Sequence, residues 1–165
     1  MIVGVTMWLL AANCVIRAQI QYVQDDTTKQ INFANATALL RQFWKTGDVS
    51  RIEVMHVPTN RMYSINVSSS MVDAICTFKL IVRDPKDSMF GRELVATINK
   101  VAAAKSEKLA DLRWGCVFYT GKNEPVFAIY FDQTGRKGVV NGACVEFDSD
   151  VLQKWANSSC RKIFE

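Results

Sequence analysis

The residue best suited to acid–base chemistry near neutral pH is His56, the only histidine in the chain. A histidine acts as a catalytic base when a nucleophile or a carboxylate lies within hydrogen-bonding reach. Glu53 is near in sequence, but in a strand it would lie on the opposite face from His56. No G-x-S-x-G, P-loop, H-E-x-x-H or G-x-G-x-x-G motif occurs. The pattern favours a structural or surface histidine and assigns no catalytic residue; a small hydrolase using His56 with a carboxylate is the alternative.

Charged and aromatic residues also collect near one end of a predicted sheet. They are Asp111, Arg113, Trp114 and Tyr130. Trp, Tyr and Arg are the residue types that most often anchor binding interfaces, so we interpret the group as a ligand or partner patch. In the alternative interpretation, Trp114 covers an open end of the core while Arg113 pairs with Asp111.

The cysteines lack the spacing of a metal site, since the chain contains no C-x-x-C motif, and no metal or other cofactor is predicted. Downstream of Cys14 the chain carries Cys76, Cys116, Cys144 and Cys160, an even number that suggests disulfides in an exported protein. Cys116 and Cys144 would lie about 13 Å apart along their strands, which exceeds the ~7 Å limit between Cα atoms. Cys76–Cys160 is the favoured disulfide, and four buried thiols are the alternative.

Residues 1–18 differ from the rest of the chain. Ile2 to Ile16 is uncharged and mostly apolar, but it is shorter than the ~20 residues that span a bilayer. This pattern predicts a signal peptide over residues 1–18, with cleavage after Ala18, and no stable membrane span. A buried strand or helix is the alternative. Residues 19–165 would then form a single domain, exported to the periplasm or the extracellular space.

Leu112 to Phe147 is the stretch that must position these residues, and it predicts three consecutive antiparallel strands joined by short loops. The loop lengths place Cys116 opposite Ile129, Tyr119 opposite Val126, and Tyr130 opposite Val139. Further strands are predicted over Arg51–Val57, Met62–Val67 and Phe78–Val82, and helices over Ala36–Trp44, after Ser68, from Ser88 through Ala102–Ala104, and after Asp148. The fold class is therefore α+β: a mostly antiparallel sheet of five or six strands, with three or four helices mainly on one face.

Composition limits the function further. With 49% hydrophobic residues, the chain can build one substantial core. A net charge of +4, carried by scattered Lys and Arg, gives no basic footprint for nucleic acid. We therefore expect a non-enzymatic exported module that binds a protein or a small ligand. An inhibitor or immunity-type protein is a further alternative, and it would present an exposed polar-aromatic patch in place of a pocket.

Overall fold

The computed structural model describes residues 33–60 and 63–160, which form four α-helices and one seven-stranded sheet. The helices are α1 (Phe33–Thr46), α2 (Ser69–Ile75), α3 (Met89–Ile98) and α4 (Val151–Trp155), and a π-helical segment (Ala156–Cys160) continues α4. The strands are β1 (Val49–His56), β2 (Phe78–Arg83), β3 (Ala103–Lys105), β4 (Leu112–Thr120), β5 (Pro125–Asp132), β6 (Lys137–Val140) and β7 (Ala143–Phe147).

The strands are ordered β2-β1-β4-β5-β6-β7-β3, and every neighbouring pair is antiparallel. Strands β4 to β7 follow one another through short connections, and the loop signals predict those from β4 to β5 and from β5 to β6. Strand β1 lies beside β4 although about 60 residues separate their ends in sequence. This long-range pairing brings His56, at the end of β1, opposite Trp114 on β4.

The predicted register is confirmed at the centre of the sheet and wrong at one end. Cys116 lies opposite Ile129, and Tyr130 lies opposite Val139. Tyr119 lies opposite Pro125, because the ladder is irregular between Phe118 and Tyr119. An irregularity of this kind shifts the pairing by one residue without reversing the faces further along the strand.

Apolar side chains cover both faces of the sheet. The first core combines alternate strand residues with α1, α3 and α4, and it includes Ile52, Trp114, Cys116, Phe118, Phe127, Ile129, Phe131, Leu40, Leu94 and Leu152. The second core lies against α2 and the segment around Val67, and it includes Met55, Val57, Val72, Leu112, Val117 and Val139. Three of the four described helices therefore pack on the face of the first core. On the other face, α2 lies against β1 and β4.

The helix α1 is present where its apolar spacing predicts it. Ala36 and Leu40 are buried in the first core, and the polar face is exposed. Gly47 ends the helix with a φ of +85°, and its N–H donates to the Phe43 carbonyl at 3.1 Å. A glycine adopts this left-handed conformation without the strain that a side chain would add.

The expected number of strands was too low. The run from Val139 to Phe147 is two strands, since Asn141 and Gly142 have φ of 45° and 85° and form a tight turn between β6 and β7. Ala103–Lys105, which we expected to be helical, is an edge strand paired with β7. In the opposite direction, the described part of the predicted strand Met62–Val67 has no strand structure.

The favoured Cys76–Cys160 disulfide is absent, since all four cysteines in the described residues are free. Cys76 packs against the second core and Cys160 lies in the first, so the sheet separates the two sulfurs. Burial raises the pKa of Cys116 far above its ordinary value, and burial raises the pKa of Cys160 to about 12. Both thiols are therefore protonated at neutral pH and unreactive.

Two further expectations concern the limits of the chain and its relation to membranes. The predicted signal peptide, residues 1–18, lies outside the described residues. Within residues 33–60 and 63–160, none of the helices combines the length and apolar character needed to cross a bilayer.

Candidate functional site

A cavity of 420 Å³ opens where the end of β1 meets the start of β4. We call it the end pocket; its described lining residues are His56, Thr59, Trp114, Gln133, Gln153, Ala156 and Asn157. The volume lies within the range of small-ligand sites, about 300–1,000 Å³. Three structural units form its wall: the paired ends of β1 and β4, the loop between β5 and β6, and the helical segment that begins at Val151.

Aromatic stacking fixes the strand side of the end pocket. The His56 ring lies 4.0 Å from the Trp114 ring, centroid to centroid, with an angle of 24° between the planes. Trp114 is also nearly parallel to Phe131, at a centroid distance of 6.3 Å and an angle of 13°. Stacked rings in a packed core have little rotational freedom, so the edge of His56 is presented at a defined position.

The environment of His56 favours the neutral imidazole. Burial lowers the pKa of His56 below its ordinary value of 6.5, and the positive charge of Arg113 lowers this pKa further. None of the described carboxylates forms an ion pair with the ring. Glu53 pairs instead with Arg51 and Lys79, at 3.2 and 3.5 Å, as expected from the opposite direction of its side chain. A neutral His56 offers the pocket one hydrogen-bond donor and one acceptor.

We predict that titration of His56 makes folding less favourable at acidic pH. Because the pKa is lowered in the folded state, the unfolded chain takes up the proton first as pH falls through about 6.5. The stability that the neutral ring contributes is therefore fully present above about pH 6.5. It is lost as the pH falls from there to the lower pKa that His56 has in the folded state. A ¹H NMR titration of the single imidazole measures the folded pKa directly. A His56→Gln variant, compared by urea denaturation at several pH values, should lack this part of the pH dependence; a folded pKa at or above 6.5 would contradict the prediction.

Carboxamide side chains dominate the helical side of the end pocket. Gln153, Ala156 and Asn157 follow the spacing that places residues on one face of a helix. Gln153 Nε2 donates to Asn157 Oδ1 at 3.3 Å. Gln153 Oε1 is buried and accepts no hydrogen bond from the described residues. A buried acceptor without a partner costs about 1–3 kcal/mol, and this oxygen is not accessible from the cavity. The π-helical segment begins directly after α4, and π-helical turns are frequent at functional sites.

The loop between β5 and β6 closes the third side, and Asp132 holds its shape. The Asp132 carboxylate accepts hydrogen bonds from the backbone N–H groups of Thr134 and Arg136, both at 3.1 Å. These hydrogen bonds stabilise the turn that follows Asp132. Gly135, with a φ of +67°, approaches α4 so closely that a Cβ there would lie 2.8 Å from Gln153 Cβ. The contact fixes the loop that carries Gln133 against the helical wall.

The residues of the predicted patch do not form one surface. Arg113 Nε donates to Asp111 Oδ2 at 3.0 Å, and Arg113 Nη1 donates to the Pro58 carbonyl at 3.2 Å, so these two polar residues are brought together. Trp114 belongs to the first core and Tyr130 packs against the second, because their side chains lie on opposite faces of the sheet. Trp114 is the only one of the four that lines the end pocket.

Sequence reasoning named His56 and Trp114, but it did not connect them, and it missed Thr59, Gln133, Gln153 and Asn157. Glutamine and asparagine are common on protein surfaces, so their types carry no functional signal alone. Their convergence depends on the pairing of β1 with β4 and on the approach of α4 to the Gly135 loop. Neither contact leaves a short-range motif in the sequence.

Other kinds of site find less support in the structure. Within the described residues, no group of three or more His, Cys, Asp or Glu side chains could hold a metal ion. In the end pocket, by contrast, side chains of several polar residues converge on one cavity. No protein-family model matches the chain, and comparisons with curated proteins and with solved structures found no match.

Proposed function

We propose that the protein is a non-enzymatic binding module that holds a small ligand, or a short segment of a partner, in the end pocket. The observation that carries the proposal is the cavity itself. It combines a stacked aromatic wall with several uncharged polar side chains, which is the composition of a site that orients a ligand by hydrogen bonds. Among the lining residues, Trp114 and Ala156 are held in the first core, and they give the site a rigid wall.

The alternatives have weaker support from the same geometry. A hydrolase that uses His56 needs a nucleophile or an orienting carboxylate, and no described acidic group is paired with the ring. Thiol chemistry is disfavoured by the raised pKa of Cys116 and Cys160, which burial causes. An inhibitor-type protein would need an exposed polar-aromatic patch, whereas Arg113 and Trp114 are buried.

The proposal can be tested by an NMR screen of uncharged fragments against the purified protein. The reporters are the His56 imidazole and the Trp114 indole, the latter assigned with a Trp114→Phe variant. We expect saturable shifts of both reporters with some fragments, and no chemical change of the fragment. Fragments that shift neither reporter at any concentration would contradict the placement of the site. Turnover that disappears in His56→Gln would contradict the non-enzymatic role.

Export is a separate part of the proposal, and it rests on the uncharged apolar run from Ile2 to Ile16. Mass spectrometry of the protein recovered from the medium or periplasm of its native host tests this part. A mature chain that begins at Gln19 is expected, and a chain found only inside the cell with Met1 retained would contradict export.

A further inference from the structure

The strand β2 lies at an edge of the described sheet, and this edge fits a second copy of the chain. We infer that two copies associate by antiparallel pairing of β2 with β2, about a two-fold axis that passes through Leu80. The two seven-stranded sheets then become one continuous sheet. None of the described residues that line the end pocket belongs to β2, so the inference is independent of the proposed ligand site.

The backbone of β2 directs hydrogen-bonding groups away from the sheet. The Asp84 N–H donates to the Ser50 carbonyl at 3.0 Å, in the register that β2 and β1 keep throughout. In such a ladder every second residue directs its N–H and C=O to the neighbouring strand, and the residues between them point to the other side. The backbone groups of Lys79, Ile81 and Arg83 therefore point away from β1. No described strand lies on that side, and no described loop hydrogen bond involves these groups.

This edge lacks the features that commonly protect an edge strand, which are short length, proline, bulges and free charges. The other edge strand of the described sheet, β3, has three residues, whereas β2 has six and contains neither proline nor bulge. The Lys79 ammonium is already neutralised, since it donates to Glu53 at 3.5 Å and forms an ion pair with Asp73. Ile81 is 48% exposed. The edge therefore offers unpaired backbone groups beside an exposed apolar side chain.

The sequence of β2 is complementary to itself in one register. When the pairing is centred on Leu80, this leucine lies opposite the Leu80 of the second copy, and Lys79 lies opposite Ile81. The outward backbone groups of Lys79 and Ile81 then exchange hydrogen bonds. Leu80 and Val82 pack against the first core, so the leucine contact extends an existing apolar surface. A register centred on Ile81 would instead place Lys79 opposite Arg83, and like charges in that position are destabilising.

This self-complementarity identifies the partner as a second copy. The charges of β2 avoid each other in the register centred on Leu80, and the strand that fits the edge is β2 itself. A pair of six-residue strands is a small contact, at the low end of interface sizes below about 1,200 Å². We therefore expect a reversible dimer with a dissociation constant in the micromolar range.

Sedimentation velocity of the purified protein, from low micromolar to near-millimolar concentration, tests the association. We expect a reversible change from monomer to dimer. Ile81→Lys places a lysine opposite Lys79 at two symmetric positions and should weaken the dimer about tenfold. Leu109→Lys makes the same kind of change at a 75% exposed residue outside β2 and should leave the dimer intact. A monomer at every concentration, or a dimer that Ile81→Lys does not weaken, would overturn the inference.

Cysteine substitutions test the register. In the predicted pairing, Leu80 and its symmetry mate have Cα atoms about 4.5 Å apart, which a disulfide can bridge. With oxidised glutathione, Leu80→Cys should give more covalent dimer than the parent protein, and Ile81→Cys should not. The reverse result would overturn the register centred on Leu80.

Amide hydrogen exchange of the unmodified protein gives a measurement that does not depend on the folding of these variants. Exchange at Lys79 and Ile81 should slow as the protein concentration rises. Protection that appears only at another surface would contradict pairing through β2.

Discussion

Replacing Trp114 with alanine should lower the free energy of unfolding by about 4 kcal/mol, as large aromatic truncations in cores do. The indole is 7% exposed and packs between His56 and Phe131 in the first core. Removing it leaves a cavity that these rings cannot fill without moving, and each then loses a stacking partner. Urea denaturation followed by circular dichroism measures the change.

Two control variants show whether this loss comes from the stack. Trp44→Ala, at a half-buried position on α1, should cost less than half as much. Trp114→Phe keeps an aromatic ring at the site and should recover most of the stability. Because burial is the larger cause of the lowered pKa of His56, this pKa should return toward 6.5 in Trp114→Ala. An unchanged midpoint and an unchanged His56 pKa would show that Trp114 does not form the wall of the end pocket.

The central strands could be predicted because residue composition, loop length and the alternation of apolar side chains all indicate the same antiparallel pairs. Residues 112–132 are rich in aromatic and β-branched side chains, and the short loop of turn formers from Gly121 to Glu124 forces an antiparallel pair. Because alternate side chains of β5 are buried in the first core, a shift of one residue would remove them from that core, so the register is strongly constrained. The observed pairing of Cys116 with Ile129 follows from this.

Two secondary-structure predictions were wrong for different reasons. In one, strand pairing outweighed a local preference for helix, and in the other, a turn signal inside a predicted strand was stronger than the apolar pattern around it. Alanine favours helix, yet Ala103 and Ala104 form an edge strand because pairing with β7 satisfies their backbone groups. The Asn141-Gly142 pair is itself a strong hairpin signal, since both positions of a type I′ turn need positive φ. The predicted single strand from Val139 to Phe147 passes over this turn, and β6 and β7 are separate strands for that reason.

The end pocket was less predictable than the fold because no single element contains it. His56 and Trp114 meet through the pairing of β1 with β4, and Gln153 arrives on a helix some 40 residues further along the chain. Residue types do not reveal such contacts. A neutral site also lacks the clusters of charged or metal-binding residues that make catalytic sites visible in a sequence.

Substituting Gly138 with alanine should cost about 3 kcal/mol, the upper part of the usual range for overpacking. Gly138 lies on β6 between Phe131 and Val145. A Cβ at this position would lie 2.1 Å from the Tyr130 carbonyl oxygen and 2.6 Å from the Phe147 ring. The oxygen belongs to the backbone of β5, so it cannot move aside without disturbing the ladder between β5 and β6. The strand pairing, and not only one side chain, has to adjust.

Gly121→Ala provides the matched control, since it lies in the exposed turn after β4 and a Cβ there meets nothing within 4 Å. Its stability should stay within about 0.5 kcal/mol of the parent, as for other surface substitutions. Urea midpoints measure the difference, and amide hydrogen exchange should be faster on β5 and β6 in Gly138→Ala alone. Equal stability of the two variants would refute the close approach of β5 to Gly138. Because the loop between β5 and β6 carries Gln133, the Gly138 variant should also weaken binding of any fragment that occupies the end pocket, whereas the Gly121 variant should not.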